Sequence, residues 1–169
     1  MLETNRSLRQ YVCLFLAVIA YFTLHEGAHL LSALYYKVFE QVNFIGLGVQ
    51  IAIDKDALSE TQLIIFNLSG GLTTLVIGYI LVIYTKRIVT IKSKLIKAAF
   101  YYITITMLVT DCIYLSILSS FFGGGDMNGI ALLFPTETTA KILFGVIGMI
   151  NLFIFMKFVY PKYVAAYKK

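Results

Sequence analysis

Residues Tyr11–Tyr36 read YVCLFLAVIAYFTLHEGAHLLSALYY, an apolar run whose only charged or imidazole side chains are His25, Glu26 and His29. A membrane-crossing helix needs about 20 residues, so the run is long enough to cross. On a helix, positions i and i+4 lie one turn apart on one face, so His25 and His29 can reach the same metal ion. The spacing is that of an H-E-x-x-H motif, and it uses both histidines of the chain. Glu26 then falls beside the ion, placed to take a proton from a water held there. Ionisable groups are expensive inside a bilayer and mark function by default.

Composition points the same way. Of 169 residues, 59% are hydrophobic and only 14% charged, and mean hydropathy is +0.83. Soluble domains carry about 25% charged residues. The expectation is an all-α integral membrane protein, 1–169 forming a single membrane-embedded domain. The net charge of +5 does not signal nucleic acid, because the basic residues sit between apolar runs and at the tail, as topology signals do. Cys13 and Cys112 fall in predicted spans with no C-x-x-C pairing, which argues against a disulfide framework. Arg6 and Arg9 ahead of an apolar run resemble a signal peptide. The run exceeds the roughly 7–15 residues of such a segment, and cleavage would remove the histidines, so it is read as a retained span.

Four spans are predicted, at about 11–36, 61–84, 95–122 and 140–160, with Thr85-Lys86-Arg87 and Pro161-Lys162 ending the second and fourth. Lys86, Arg87, Lys92, Lys94 and Lys97 share a connection free of acids, which should be cytoplasmic. Arg6 and Arg9 fall on the same side, as do Lys157, Lys162, Lys168 and Lys169, so both termini are expected inside. The other side receives Glu40, Asp54, Asp56, Glu60 and Glu137.

Two connections are unusual. In Asn43–Ile53, apolar Ile45, Leu47, Val49, Ile51 and Ile53 alternate with Gly46, Gly48, Gln50 and Ala52, a strand period. The competing reading is an interfacial segment. In 121–129, a run of three glycines precedes Asp126. A hydrolytic zinc site usually takes three protein ligands, and no third histidine exists, so an acid or cysteine must complete it. Asp126 and Asp111 are the candidates. His25 and Asp111 lie at similar depth in parallel spans, whereas Asp126 reaches the site only if the glycine run folds back, which glycine permits.

Three blocks, in order, resemble the site-2 protease family of intramembrane zinc metalloproteases. They are His25–His29 followed by Leu30-Leu31-Ser32-Ala33, then Asn67-Leu68-Ser69-Gly70-Gly71, then Gly124-Gly125-Asp126-Met127-Asn128-Gly129-Ile130. They cover most of the chain from about Phe22 to Ile130. The first is highly specific, the last moderately so and the second weak by itself. The resemblance implies Asp126 as third zinc ligand, a membrane-embedded β-hairpin at Phe44–Ile53 and a site nearer the cytoplasmic face. The basic connections predict instead an outward-running first span with the histidines past its middle. In the family the aspartate is often followed directly by glycine, whereas Met127 and Asn128 intervene here.

The expected function is therefore cleavage of membrane-embedded or membrane-associated polypeptides by a zinc ion on His25, His29 and Asp126, with Glu26 as base. Substrate could add as an extended strand to the Phe44–Ile53 segment. The bland readings are two hydrogen-bonded interior histidines, a buried Glu26, an Asp111 bonding a neighbouring helix, an Asp126 serving a glycine turn, and Gly70, Gly71 and Gly78 permitting close packing. The competing functions are an inactive metal- or partner-binding protein of the same fold, and a membrane hydrolase of another amide or acyl bond.

Overall fold

The computed structural model describes residues 5–45, 48–121 and 125–168. Gly46, Leu47, Phe122, Gly123 and Gly124, on which parts of the strand and glycine-turn expectations fall, lie outside the described residues. Helix α1 (Arg6–Tyr36) is capped by Asn5, whose side chain accepts from the Leu8 amide at 3.0 Å. It ends at Lys37 in the left-handed conformation, φ 60°, whose amide returns to the last turn. Strands β1 (Phe39–Ile45) and β2 (Gly48–Ile53) follow as an antiparallel hairpin. A capping box of Ser59 and Gln62 opens α2 (Glu60–Ile88), and Ser93 caps α3 (Lys94–Ser116). A short 3₁₀ turn (Leu118–Ser120), the one-turn α4 (Met127–Ile130) and α5 (Glu137–Ile154) come next. A π-turn at Phe155–Val159 leads into α6 (Tyr160–Lys168).

Four helices, Arg6–Tyr36, Glu60–Ile88, Lys94–Ser116 and the continuous Glu137–Lys168, are long and apolar enough to cross a membrane. Their outward faces are apolar too: Phe15, Leu31, Val76, Ile83, Ile142 and Met149 are each more than half exposed. Helix α3 sits centrally, against α1, α2 and α5. Cys13 meets the Leu95 carbonyl and Tyr21 meets Asp111, so α1 and α3 run parallel. Gly145, Gly148 and Asn151 descend past Ser116, Cys112 and Leu108, so α5 runs antiparallel to α3. Gly71 and Gly78 of α2 face Asp111 and Leu108, again antiparallel. Small residues on these seams let the backbones approach closely.

Three expectations need correction. The third helix stops at Ser116 rather than reaching residue 122. Hydroxyls of Ser116 and Ser119 bond back to the Cys112 and Leu115 carbonyls, competing with the helix as it tightens into a 3₁₀ turn. The fourth does not end at Pro161. The π-turn just before it widens the helix, so the proline, which has no N–H, is accommodated and α6 continues. The hairpin expected at Phe44–Ile53 is present but starts earlier: Phe39–Ile45 pairs with Gly48–Ile53, and the first strand, FEQVNFI, carries no clean alternation in its sequence.

Candidate metal centre

The buried face of α1 is a single i, i+4 stripe: Arg9, Cys13, Ala17, Tyr21, His25, His29 and Ala33. This stripe turns both imidazoles toward α2 and α3. Opposite them stands Gly70 of α2, where an added Cβ would lie 2.5 Å from His29 Nε2 and 2.7 Å from His25 Nε2. The backbone of α2 thus forms one wall of the site, and only glycine leaves room for the two rings.

Asp126 arrives from the other side. Gly125 adopts φ +46°, and a Cβ there would run into the Tyr114 hydroxyl, so the turn is restricted to glycine twice over. Beyond it, Met127 and Ile130 are buried with Leu115 and Ala140, and Gly129 packs directly on the Asn67 side chain. These contacts fold the segment back into the bundle. Asp126 precedes α4 but its side chain makes no capping bond, leaving the carboxylate free to face the histidines.

The three donor atoms form a compact triangle. His25 Nε2 lies 3.2 Å from His29 Nε2 and 3.2 Å from Asp126 Oδ2, and His29 Nε2 lies 3.4 Å from the same oxygen. Ligands about 2.0–2.1 Å from one tetrahedral ion stand about 3.3–3.4 Å apart. The His25, His29 and Asp126 group could therefore hold a metal ion with little rearrangement.

The far nitrogens also stand near oxygen atoms. His29 Nδ1 lies 2.9 Å from the Phe66 carbonyl and 3.2 Å from Ser69 Oγ. A carbonyl can only accept, so Nδ1 carries the proton and Nε2 keeps its lone pair for a ligand. His25 Nδ1 lies 3.1 Å from Asp111 Oδ1. Asp111 is buried and also accepts from Tyr21 Oη at 2.6 Å and, through Oδ2, from Thr74 Oγ1. The two candidate aspartates thus occupy opposite nitrogens of one imidazole: Asp126 faces both Nε2 atoms, and Asp111 reaches only His25.

Glu26, half-buried, lies close to the Ile51 backbone of β2. Ile51 and Ile53 pack with Ala33 and Phe66, fixing β2 beside α1. A cavity of about 210 Å³, lined by apolar side chains including Leu68, Leu72, Leu115 and Phe144, reaches Asp111 and Asp126 from between α2, α3 and α5.

All four sequence-predicted residues, His25, Glu26, His29 and Asp126, therefore gather at one place. Ser69 and Gly70 fall in the small-residue block already singled out, and Tyr21 and Thr74 are the neighbouring-helix partners that the plain reading of Asp111 expected without naming them. Tyr21 stands one turn before His25 on the same stripe, the one signal that could have pointed to it. Compared with protein-family models, curated proteins and solved structures, the chain matches none.

Proposed function

We propose that the chain is an intramembrane zinc metallopeptidase, as its resemblance to the site-2 protease family implies. The observation that carries the reading is the triangle of His25 Nε2, His29 Nε2 and Asp126 Oδ2 at 3.2–3.4 Å, with a carboxylate one residue from the first ligand. The donor set, two imidazoles and one carboxylate, is of the hydrolytic zinc type. A zinc ion bound there would lower the pKa of water toward about 7 and polarise a carbonyl. Glu26 accepts the proton of the attacking water and delivers it to the departing amide nitrogen. Metal storage needs ligands but no adjacent base, so Glu26 favours hydrolysis.

A helical substrate hides its carbonyls in its own hydrogen bonds and must be extended before attack. Register fixes which edge of β2 is open. Gly48, Gln50 and Ala52 pair across to Ile45, Asn43 and Gln41, and the Asp54 amide continues toward Val38. The amides of Val49, Ile51 and Ile53 accordingly turn away from β1. A substrate strand added on that edge passes directly by Glu26.

The basic α2–α3 connection and both chain ends gather at one end of the bundle, where Arg9 and Lys97 lie over the Tyr167 ring. Charge bias places that end in the cytoplasm and the hairpin end, with the metal site, toward the opposite half of the membrane.

The test uses the full chain purified in nanodiscs. Wild type should carry one zinc per chain, His25→Ala and Asp126→Asn should lose it, and Glu26→Gln should keep zinc while its cleavage of a membrane peptide falls by roughly 10²–10⁴. Wild type without stoichiometric metal, or Glu26→Gln with full cleavage, would sink the reading.

A further inference from the structure

We infer that Asp111 is a positioning residue that holds the His25 imidazole in the tautomer and orientation presenting Nε2 to the metal; the inference rests on the metallopeptidase reading. His25 Nδ1 is buried, lies 3.1 Å from Asp111 Oδ1 and makes no hydrogen bond of good geometry as the ring stands. Fixing the ring plane through Nε2 would let Nδ1–H straighten onto that oxygen. A carboxylate can only accept from Nδ1–H, which forces the lone pair onto Nε2. The partners of the two histidines differ: His29 Nδ1 meets a backbone carbonyl and His25 Nδ1 a carboxyl group.

Asp111 is itself immobilised. Tyr21 of α1 and Thr74 of α2 both donate to it across helix boundaries, and Gly71 leaves space for its carboxyl group. Both donors are neutral, so they fix the carboxyl group in place without supplying a countercharge. A metal ion held on His25 would supply positive charge on the far side of the ring.

The experiment compares wild type, Asp111→Asn, Tyr21→Phe and Asn151→Ala, each as the full chain in nanodiscs. The readouts are zinc affinity by chelator competition and the visible spectrum of the cobalt-substituted protein. Asn151 is a packing control, a buried cross-helix polar residue bonded to Tyr79 and the Leu108 carbonyl. Asp111→Asn should weaken zinc about 10–100-fold and shift the cobalt spectrum, the usual cost of removing such a partner. Tyr21→Phe should move both readouts the same way by a smaller factor, and Asn151→Ala should move neither. An unchanged affinity and spectrum in Asp111→Asn would overturn the inference, as would complete metal loss matching Asp126→Asn, which would make Asp111 a ligand. Equal weakening by Asn151→Ala would reduce the effect to packing. Should Asp111→Asn fail to fold, wild-type behaviour of Tyr21→Phe overturns the inference instead. Wild type taking up no metal overturns the metallopeptidase reading itself, a separate outcome.

Discussion

Gly70 carries no side chain because two imidazoles occupy the space that one would need. Overpacking of this kind costs about 1–3 kcal/mol. Taken wholly from metal binding, at 1.4 kcal/mol per decade, Gly70→Ala should weaken zinc by about 10–100-fold. Gly27 is the control inside the motif itself. An added Cβ there meets nothing within 4 Å, so Gly27→Ala should leave zinc affinity unchanged and raise stability by up to about 1 kcal/mol. Isothermal titration with zinc and thermal melts of the two variants check both statements, and equal behaviour would refute them. At this scale the two histidines of the candidate metal group were legible because H-E-x-x-H is a local pattern on one helix. Asp126 was legible only as one of two candidates. What separates it from Asp111 is which nitrogen of His25 each carboxylate meets, and that ring stands against Gly70 of another helix. No spacing along the chain encodes that.

Among the elements, β2 bears the sharpest expectation. Proline at Ile51 removes an amide that faces away from β1, whereas proline at Gln50 removes one that pairs with it. If substrate adds on the open edge, Val49→Pro and Ile51→Pro should each lower peptide cleavage about tenfold while zinc content holds, since one hydrogen bond contributes about 0.5–1.5 kcal/mol. Unchanged turnover in both would discard strand addition. A second expectation concerns the seam of α3 and α5. Asn151 Nδ2 donates to the Leu108 carbonyl at 2.7 Å, and Asn151 Oδ1 accepts from Tyr79 Oη at 2.5 Å. Asn151→Ala should cost about 0.5–2 kcal/mol of stability, read by unfolding in detergent. The four long helices were legible from their apolar runs because length and hydropathy are local quantities. β1 was not, since a strand whose partner supplies the pattern need not alternate itself. The passage of the last helix through Pro161 was hidden because a π-turn leaves no residue signature.

Seen whole, the bundle has two unlike ends. Arg9, Lys97 and Tyr167 meet at one, with the Tyr167 hydroxyl on the Lys94 carbonyl at 2.9 Å. The other holds the hairpin, the Asp126 turn and the acids Asp54, Asp56 and Glu137. A fluorescent protein that matures only in the cytoplasm should therefore glow when fused after Lys169. A cysteine placed at Asp56 should react with an impermeant maleimide added outside intact cells. The reverse pattern would invert the topology. Charge bias is what predicts that orientation, because it is a sum over connections and does not depend on packing. The turn that carries Asp126 has one more consequence, for the order of events during synthesis. Its ligand lies 101 residues beyond His25, after the three helices that enclose the histidines. A growing chain therefore exposes two imidazoles and a base long before it can complete the triangle. Any metal binding by this group must wait until Asp126 has left the ribosome and joined the histidines, so chain order alone delays the completed site.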